Sequence, residues 1–270
     1  MNPTLDAATW GMPELIALGY AMPRLFAMLS IMPIFTQQTL PPLLRAGVAF
    51  CFAIFVVPLL VGPANAVERQ GFELLALIAK EAVLGFFMGF IISLPIWAFE
   101  IMGDLIDNQR GASIAQTLSP MTGHDTSPLG DLFAQATVVF LFITGGFLLI
   151  MAALLDSYRI YPVFEWLPRF SNATPAYLLG LFDGMLRLAV LMGAPIIISM
   201  FLAELGLALV SLFAPQLQVF FLAMPVKSGL AMFVFAVYVG TLFDFAGNQL
   251  ADIGQRMLGS IDAVFPRGAR

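Results

Sequence analysis

The chain has 270 residues, of which 60% are apolar and only 11% charged, and its net charge is −5. A soluble domain is nearer half apolar and a quarter charged, so this composition suits lipid better than water. The single cysteine, Cys51, excludes an intramolecular disulfide and a cysteine metal site, the single histidine, His124, excludes histidine clusters, and no basic run suggests nucleic acid.

Long unbroken apolar runs select helices over a barrel, because backbone in lipid must satisfy its own hydrogen bonds and barrels need short alternating segments. The sequence predicts an all-α, polytopic membrane-type protein with six apolar blocks, at about 12–34, 43–62, 74–102, 131–155, 177–214 and 217–247. The first has no Lys or Arg before Arg24 and no small-residue cleavage site, so it reads as a retained segment, not a signal peptide. Pro23, Pro33, Pro58, Pro95 and Pro225 fall in or near the blocks and favour bent, proline-broken helical hairpins. The fifth block is too long for one span, and Pro195 is expected to divide it and Pro215 to end it. Counting Lys and Arg on either side of six spans places both termini in the cytoplasm.

Charges inside apolar runs are costly, about 2.5–3.5 kcal/mol each at mid-bilayer on insertion scales, so each needs a partner or a wet cavity. Arg24, Lys80, Glu81, Glu100, Asp183, Arg187, Glu204, Lys227 and Asp244 are of this kind. Lys80, Glu81, Asp183, Arg187, Glu204 and Lys227 are the candidates for intramembrane or assembly contacts. Asp183 and Arg187 have the i,i+4 spacing and order that favour local neutralisation. Glu204 lies 11 residues before Pro215 and Lys227 lies 12 after it, so a turn there predicts an ion pair across the hairpin. Gly85 with Gly89 and Gly180 with Gly184 form two GxxxG spacings that let helix backbones approach closely. The many Met and Phe residues fill cores and face lipid.

Nothing points to an enzyme. Gly103-Asp104 resembles the end of an intramembrane aspartyl protease motif, but Ile101 stands where that motif has glycine. His124, Asp125 and Ser127 read as turn chemistry rather than a triad, and no phosphate-binding or dinucleotide-binding glycine pattern is present. No metal or cofactor is implied. A stand-alone secondary transporter would share the broken helices and buried charges, but it is usually built from two matching halves, and these halves differ.

The longest polar stretch runs from Gly103 to Gly130. Its start can extend the third helix, with Asp107 and Arg110 pairing at i,i+3, and its end reads as a helix start, with Ser127 as cap, Pro128 in the first turn and Asp131 at the dipole. This run resembles the signature of the SctT proteins of type III secretion export gates. Two further stretches agree: Asp156-Ser157-Tyr158-Arg159-Ile160-Tyr161-Pro162, and Ala214-Pro215-Gln216-Leu217-Gln218-Val219-Phe220 continuing to Met224-Pro225-Val226-Lys227-Ser228. The flagellar counterpart, FliR, shares the layout, and the Asp-Asn-Gln-Arg-Gly and Pro-Val-Lys-Ser runs lean toward the injectisome version.

The resemblance implies a multi-pass subunit of the bacterial inner membrane, within the secretion-system base. Its implied partners are SctR-, SctS- and SctU-like proteins, and unfolded secreted proteins pass through the assembly. It further implies an SctR-like part over residues 1–175 and an SctS-like helical hairpin over 176–270. The segment matching the family's pore region makes Asp107, Gln109, Arg110, Ser113, Gln116 and Ser119 candidates to line the channel, with Met121 near the constriction.

Overall fold

The computed structural model describes residues 11–35, 41–65, 71–111, 127–165, 174–213, 219–251 and 253–265. Among these residues all regular structure is helical: α1 (Met12–Ile31), a 3₁₀ turn (Pro33–Phe35), α2 (Pro42–Asn65), α3 (Gly71–Arg110), α4 (Pro128–Ile143), α5 (Gly146–Ile160), α6 (Thr174–Phe213), α7 (Val219–Ala251) and α8 (Ile253–Val264). Five of the helices are long and apolar enough to cross a membrane by themselves, and α4 with α5 qualifies as a sixth span only as a broken pair. The chain is therefore an all-α, polytopic membrane protein.

The prolines do less than the sequence suggested. Pro23, Pro95, Pro195 and Pro225 all lie inside continuous helices. Pro195 does not divide the fifth block: α6 runs unbroken for 40 residues, and it ends at Phe213. In an apolar setting the helix is the only way to satisfy the remaining backbone groups, so losing one donor bends it without ending it. Pro215 lies outside the described residues. The real interruption is in the fourth block, where Gly145 takes φ +76° between α4 and α5. Only glycine adopts that conformation without strain, and the Gly145-Gly146 pair was the signal in the sequence.

The chain folds into two compact units, each assembled from separated segments. Unit 1 comprises Met1–Ser93, Phe147–Leu178 and Ile253–Arg270. In it α1 crosses the first half of α3 at very short range. A Cβ on Gly85 would overlap the Arg24 carbonyl oxygen, and one on Gly89 would come within 2.6 Å of the Met28 carbonyl oxygen. The two glycines lie four apart on one helix face, so their bare backbone makes the approach possible. Ser93, on the same face, donates its hydroxyl proton to the Gly89 carbonyl at 2.7 Å. Helix α8, which the apolar blocks did not include, closes the unit by burying Ile253, Met257, Ile261, Val264 and Phe265. Phe265 meets Phe87 edge to face, with centroids 5.4 Å apart.

Unit 2 comprises Leu94–Gly146 and Leu179–Asp252. Its core joins the second part of α3 (Ala98, Phe99, Met102, Ile106) to α4 (Leu129, Phe133), α6 (Ala189, Met192, Ile196, Met200) and α7 (Ala231, Leu242, Ala246). The α6 and α7 helices nonetheless leave most of their apolar surface uncovered. Only 11% of the most apolar window of α6 is buried, and 17% of that of α7, so lipid or another protein must cover the rest.

Candidate functional site

Most of the polar residues buried inside each unit gather at defined joints, and all three of the characteristic motifs contribute to them. In unit 1 the joint is built on Arg24, whose side chain has no solvent exposure. Its Nε donates to Glu81 Oε2 at 2.7 Å, Nη1 to Ser157 Oγ at 2.9 Å, and Nη2 to the Tyr161 carbonyl at 2.8 Å. The guanidinium carbon lies 4.1 Å from the centre of the Tyr158 ring, close enough for a cation–π contact. The Tyr158 hydroxyl donates to the Ala21 carbonyl at 2.7 Å, one turn before Arg24 on α1. The planar fork is therefore fixed from three sides, which a lysine at the same place would not achieve.

Lys80 extends the joint. Its ammonium donates to the carbonyls of Pro162, Val163 and Glu165 at 3.0, 2.6 and 2.9 Å. Glu81 Oε1 sits 2.8 Å from the same nitrogen, so the two buried side chains also form an ion pair. One buried carboxylate thus lies between two buried cations, and the surplus positive charge is spread over four carbonyl oxygens. Two further bonds tie α8 and the start of α6 into the same unit. Thr174 donates to the Val264 carbonyl at 3.0 Å, and Tyr177 to Ser260 Oγ at 2.8 Å. The Tyr161 hydroxyl also donates to Asp262.

In unit 2 the Gly103–Gly130 run is closed at its base. A Cβ on Gly103 would lie 2.5 Å from the Gly130 nitrogen, and one on Gly130 would overlap Asp104 Oδ1. Both ends of the run therefore leave from one point. Asp107 locks that point: its Oδ2 accepts from Ser127 Oγ at 2.7 Å and from the Leu129 backbone nitrogen at 2.9 Å. Ser127 caps α4 by accepting from the Gly130 nitrogen at 3.0 Å, as its place before Pro128 suggested. Arg110 Nη2 contacts Asp107 Oδ1 at 2.7 Å, the expected i,i+3 pair.

The third motif supplies Lys227. Its Nζ lies 2.6 Å from Glu204 Oε2, so the ion pair expected between α6 and α7 is present. The same ammonium donates to the Gln109 carbonyl at 3.4 Å, in the last turn of α3. A cation there meets both a last-turn carbonyl and the negative end of the helix dipole. Lys227 is thus joined to two partners, of which the sequence suggested only one. Exchanging Glu204→Lys with Lys227→Glu should recover only part of the stability lost by either single variant. The restored pair has no N–H to offer Gln109. Thermal unfolding in detergent measures this, and full recovery would show the Gln109 contact to be idle.

The remaining candidates fall in different places. Gln109 and Arg110 are half-buried at the end of α3, whereas Asp107 is buried beneath the base of the run. Ser113, Gln116, Ser119 and Met121 lie outside the described residues. Asp183 and Arg187 are both exposed, and among the described residues no ion pair joins them, so the local neutralisation expected from their spacing is not formed. Gly180 and Gly184 have nothing within 4 Å of where a Cβ would stand, unlike Gly85 and Gly89. Arg24 was visible only as one charge among nine. Its partners are 57, 133 and 137 residues away in the chain, so no spacing rule could have selected it.

No group of three or more metal-binding side chains occurs among the described residues. Residues 15–253 match the family described as bacterial export proteins, family 1. The chain belongs to this family. A Yop proteins translocation protein T of Yersinia pestis is 38% identical to this export protein over 230 residues, 85% of this chain and 88% of the relative. The surface presentation of antigens protein SpaR of Shigella flexneri is 31% identical, over 85% and 87% of the two chains. A flagellar biosynthetic protein FliR of Bacillus subtilis is 29% identical, over 83% and 86%. The family is the SctT/FliR group of type III secretion and flagellar export-apparatus components, which are structural parts and not enzymes. This member is a multi-pass membrane protein of such an apparatus.

Proposed function

We propose that this export protein is a structural subunit of a type III secretion export gate in the inner membrane. With SctR-, SctS- and SctU-like partners it forms the channel through which unfolded proteins leave the cell. The observation that carries this reading is the closed base of the Gly103–Gly130 run. Gly103 against Gly130 and Asp107 beneath Ser127 and Leu129 hold the two ends of the polar run together at one joint. Gln109, Arg110, Ser113, Gln116 and Ser119 line the passage in this reading, with Met121 near its narrowest point. Asp107 serves as their anchor. Small and polar side chains suit a path for unfolded chains because they offer no apolar wall to hold them.

The uncovered apolar surface of α6 and α7 supports assembly into a larger complex. In this reading residues 176–270 stand in for an SctS-like hairpin fused to an SctR-like part, residues 1–175. Gly180 and Gly184, with Asp183 and Arg187, then face neighbouring subunits. The higher identity to the Yop translocation protein than to FliR favours secretion over flagellar use. Replacing residues 112–126 with a Gly/Ser linker of equal length should make cells leak ions while the complex still assembles, measured by dye entry and by co-purification of partners. Collapse of the complex with no leak would make the segment a structural joint. Purification as a stable, solitary transport-active protein would favour the transporter alternative.

A further inference from the structure

The motif from Asp156 to Pro162 divides between two faces. Ser157, Tyr158 and Tyr161 turn inward to the Arg24 joint, while Asp156 and Arg159 are exposed and take no part in it. Ala152, Leu155, Asp156 and Arg159 follow the i, i+3, i+4, i+7 spacing of a single helix face. That face of α5 lines a groove of about 330 Å³ in unit 1, whose other wall is Phe55, Val56 and Leu59 of α2. Helix α2 contributes the most apolar of the candidate spans, with a mean hydropathy of 2.4, and Phe55 is 72% exposed. The groove is thus apolar along its walls and carries a carboxylate and a guanidinium at one place.

We propose that this groove binds phosphatidylethanolamine, with an acyl chain along Phe55, Leu59, Ala152 and Leu155, the phosphate on Arg159 and the ammonium on Asp156. Charge complementarity selects this lipid. Arg159 Nη1 and Asp156 Oδ1 are 3.7 Å apart, too loosely paired to satisfy one another, and both side chains are more than half exposed. An anionic headgroup alone would meet the Asp156 carboxylate with like charge. A choline headgroup has no N–H to donate to it. Phosphoethanolamine brings an acceptor for the guanidinium and a donor for the carboxylate together.

The test uses the full chain purified in mild detergent, with phosphatidylethanolamine, phosphatidylglycerol or phosphatidylcholine added and bound lipid counted by native mass spectrometry. Wild type should retain phosphatidylethanolamine roughly fivefold or more above the other two. Asp156→Asn should abolish the preference, and Ala152→Phe, which fills the groove from an exposed position, should lower retention of all three lipids. Both sites are exposed, so thermal unfolding should confirm that each variant folds. Equal retention of the three lipids by wild type, or unchanged retention in Ala152→Phe, overturns the assignment. A photo-crosslinker at position 55 that captures a protein in intact membranes also overturns it, by showing a protein in the groove.

Discussion

Arg24→Met should destabilise the protein by about 3–5 kcal/mol, because it removes one of the two cations on the buried Glu81 carboxylate and the donor to Ser157 Oγ and the Tyr161 carbonyl. Removing the guanidinium takes away three hydrogen bonds and the cation over Tyr158. Most domains have about 5–15 kcal/mol of stability in all, so this loss should show as a steep fall in membrane abundance and in the unfolding temperature. Arg24→Met combined with Glu81→Gln should recover little of it, because Lys80 would then lie buried with its three carbonyls but no carboxylate beside it. Arg159→Gln is the control. Its exposed pair with Asp156 is worth at most about 1 kcal/mol, so that variant should behave as wild type in the same melt. If Arg24→Met melted like Arg159→Gln, the joint would not be what holds unit 1 together.

The second large effect separates two glycine motifs that are indistinguishable in sequence. Gly85→Ala should cost about 1–3 kcal/mol or more, because the added methyl overlaps the Arg24 carbonyl and a backbone atom cannot rotate aside. The strain also reaches the residue on which the buried joint is built. Gly180→Ala should be neutral or stabilising in the isolated chain. Nothing lies within 4 Å of the new methyl, and alanine is the better helix former by about 1 kcal/mol. The two variants, melted side by side, should therefore move in opposite directions. If Gly180→Ala then weakened co-purification with partner subunits while leaving the isolated chain intact, that face would be an assembly surface.

Solvent class, helical fold, the start of α4 at Ser127 and the short-range pair of Asp107 with Arg110 were legible because each depends on composition or on neighbours within one turn. The Glu204–Lys227 pair was legible for a related reason: a single turn fixed the distance along both helices. Pro195 misled, because a proline's local cost does not decide whether the surrounding medium tolerates a broken helix.

The hydrophobic pattern by itself determined that this chain is a bundle of membrane-length helices, since lipid accepts almost nothing else from such a composition. Only the tertiary structure decided what the charges within those helices do. Glu81 has a partner from α1, carbonyls after α5 hold Lys80, and the Gly103–Gly130 run closes on itself through Asp107. Such choices rest on which distant segments meet, and an apolar pattern that fits many neighbours equally well cannot specify one.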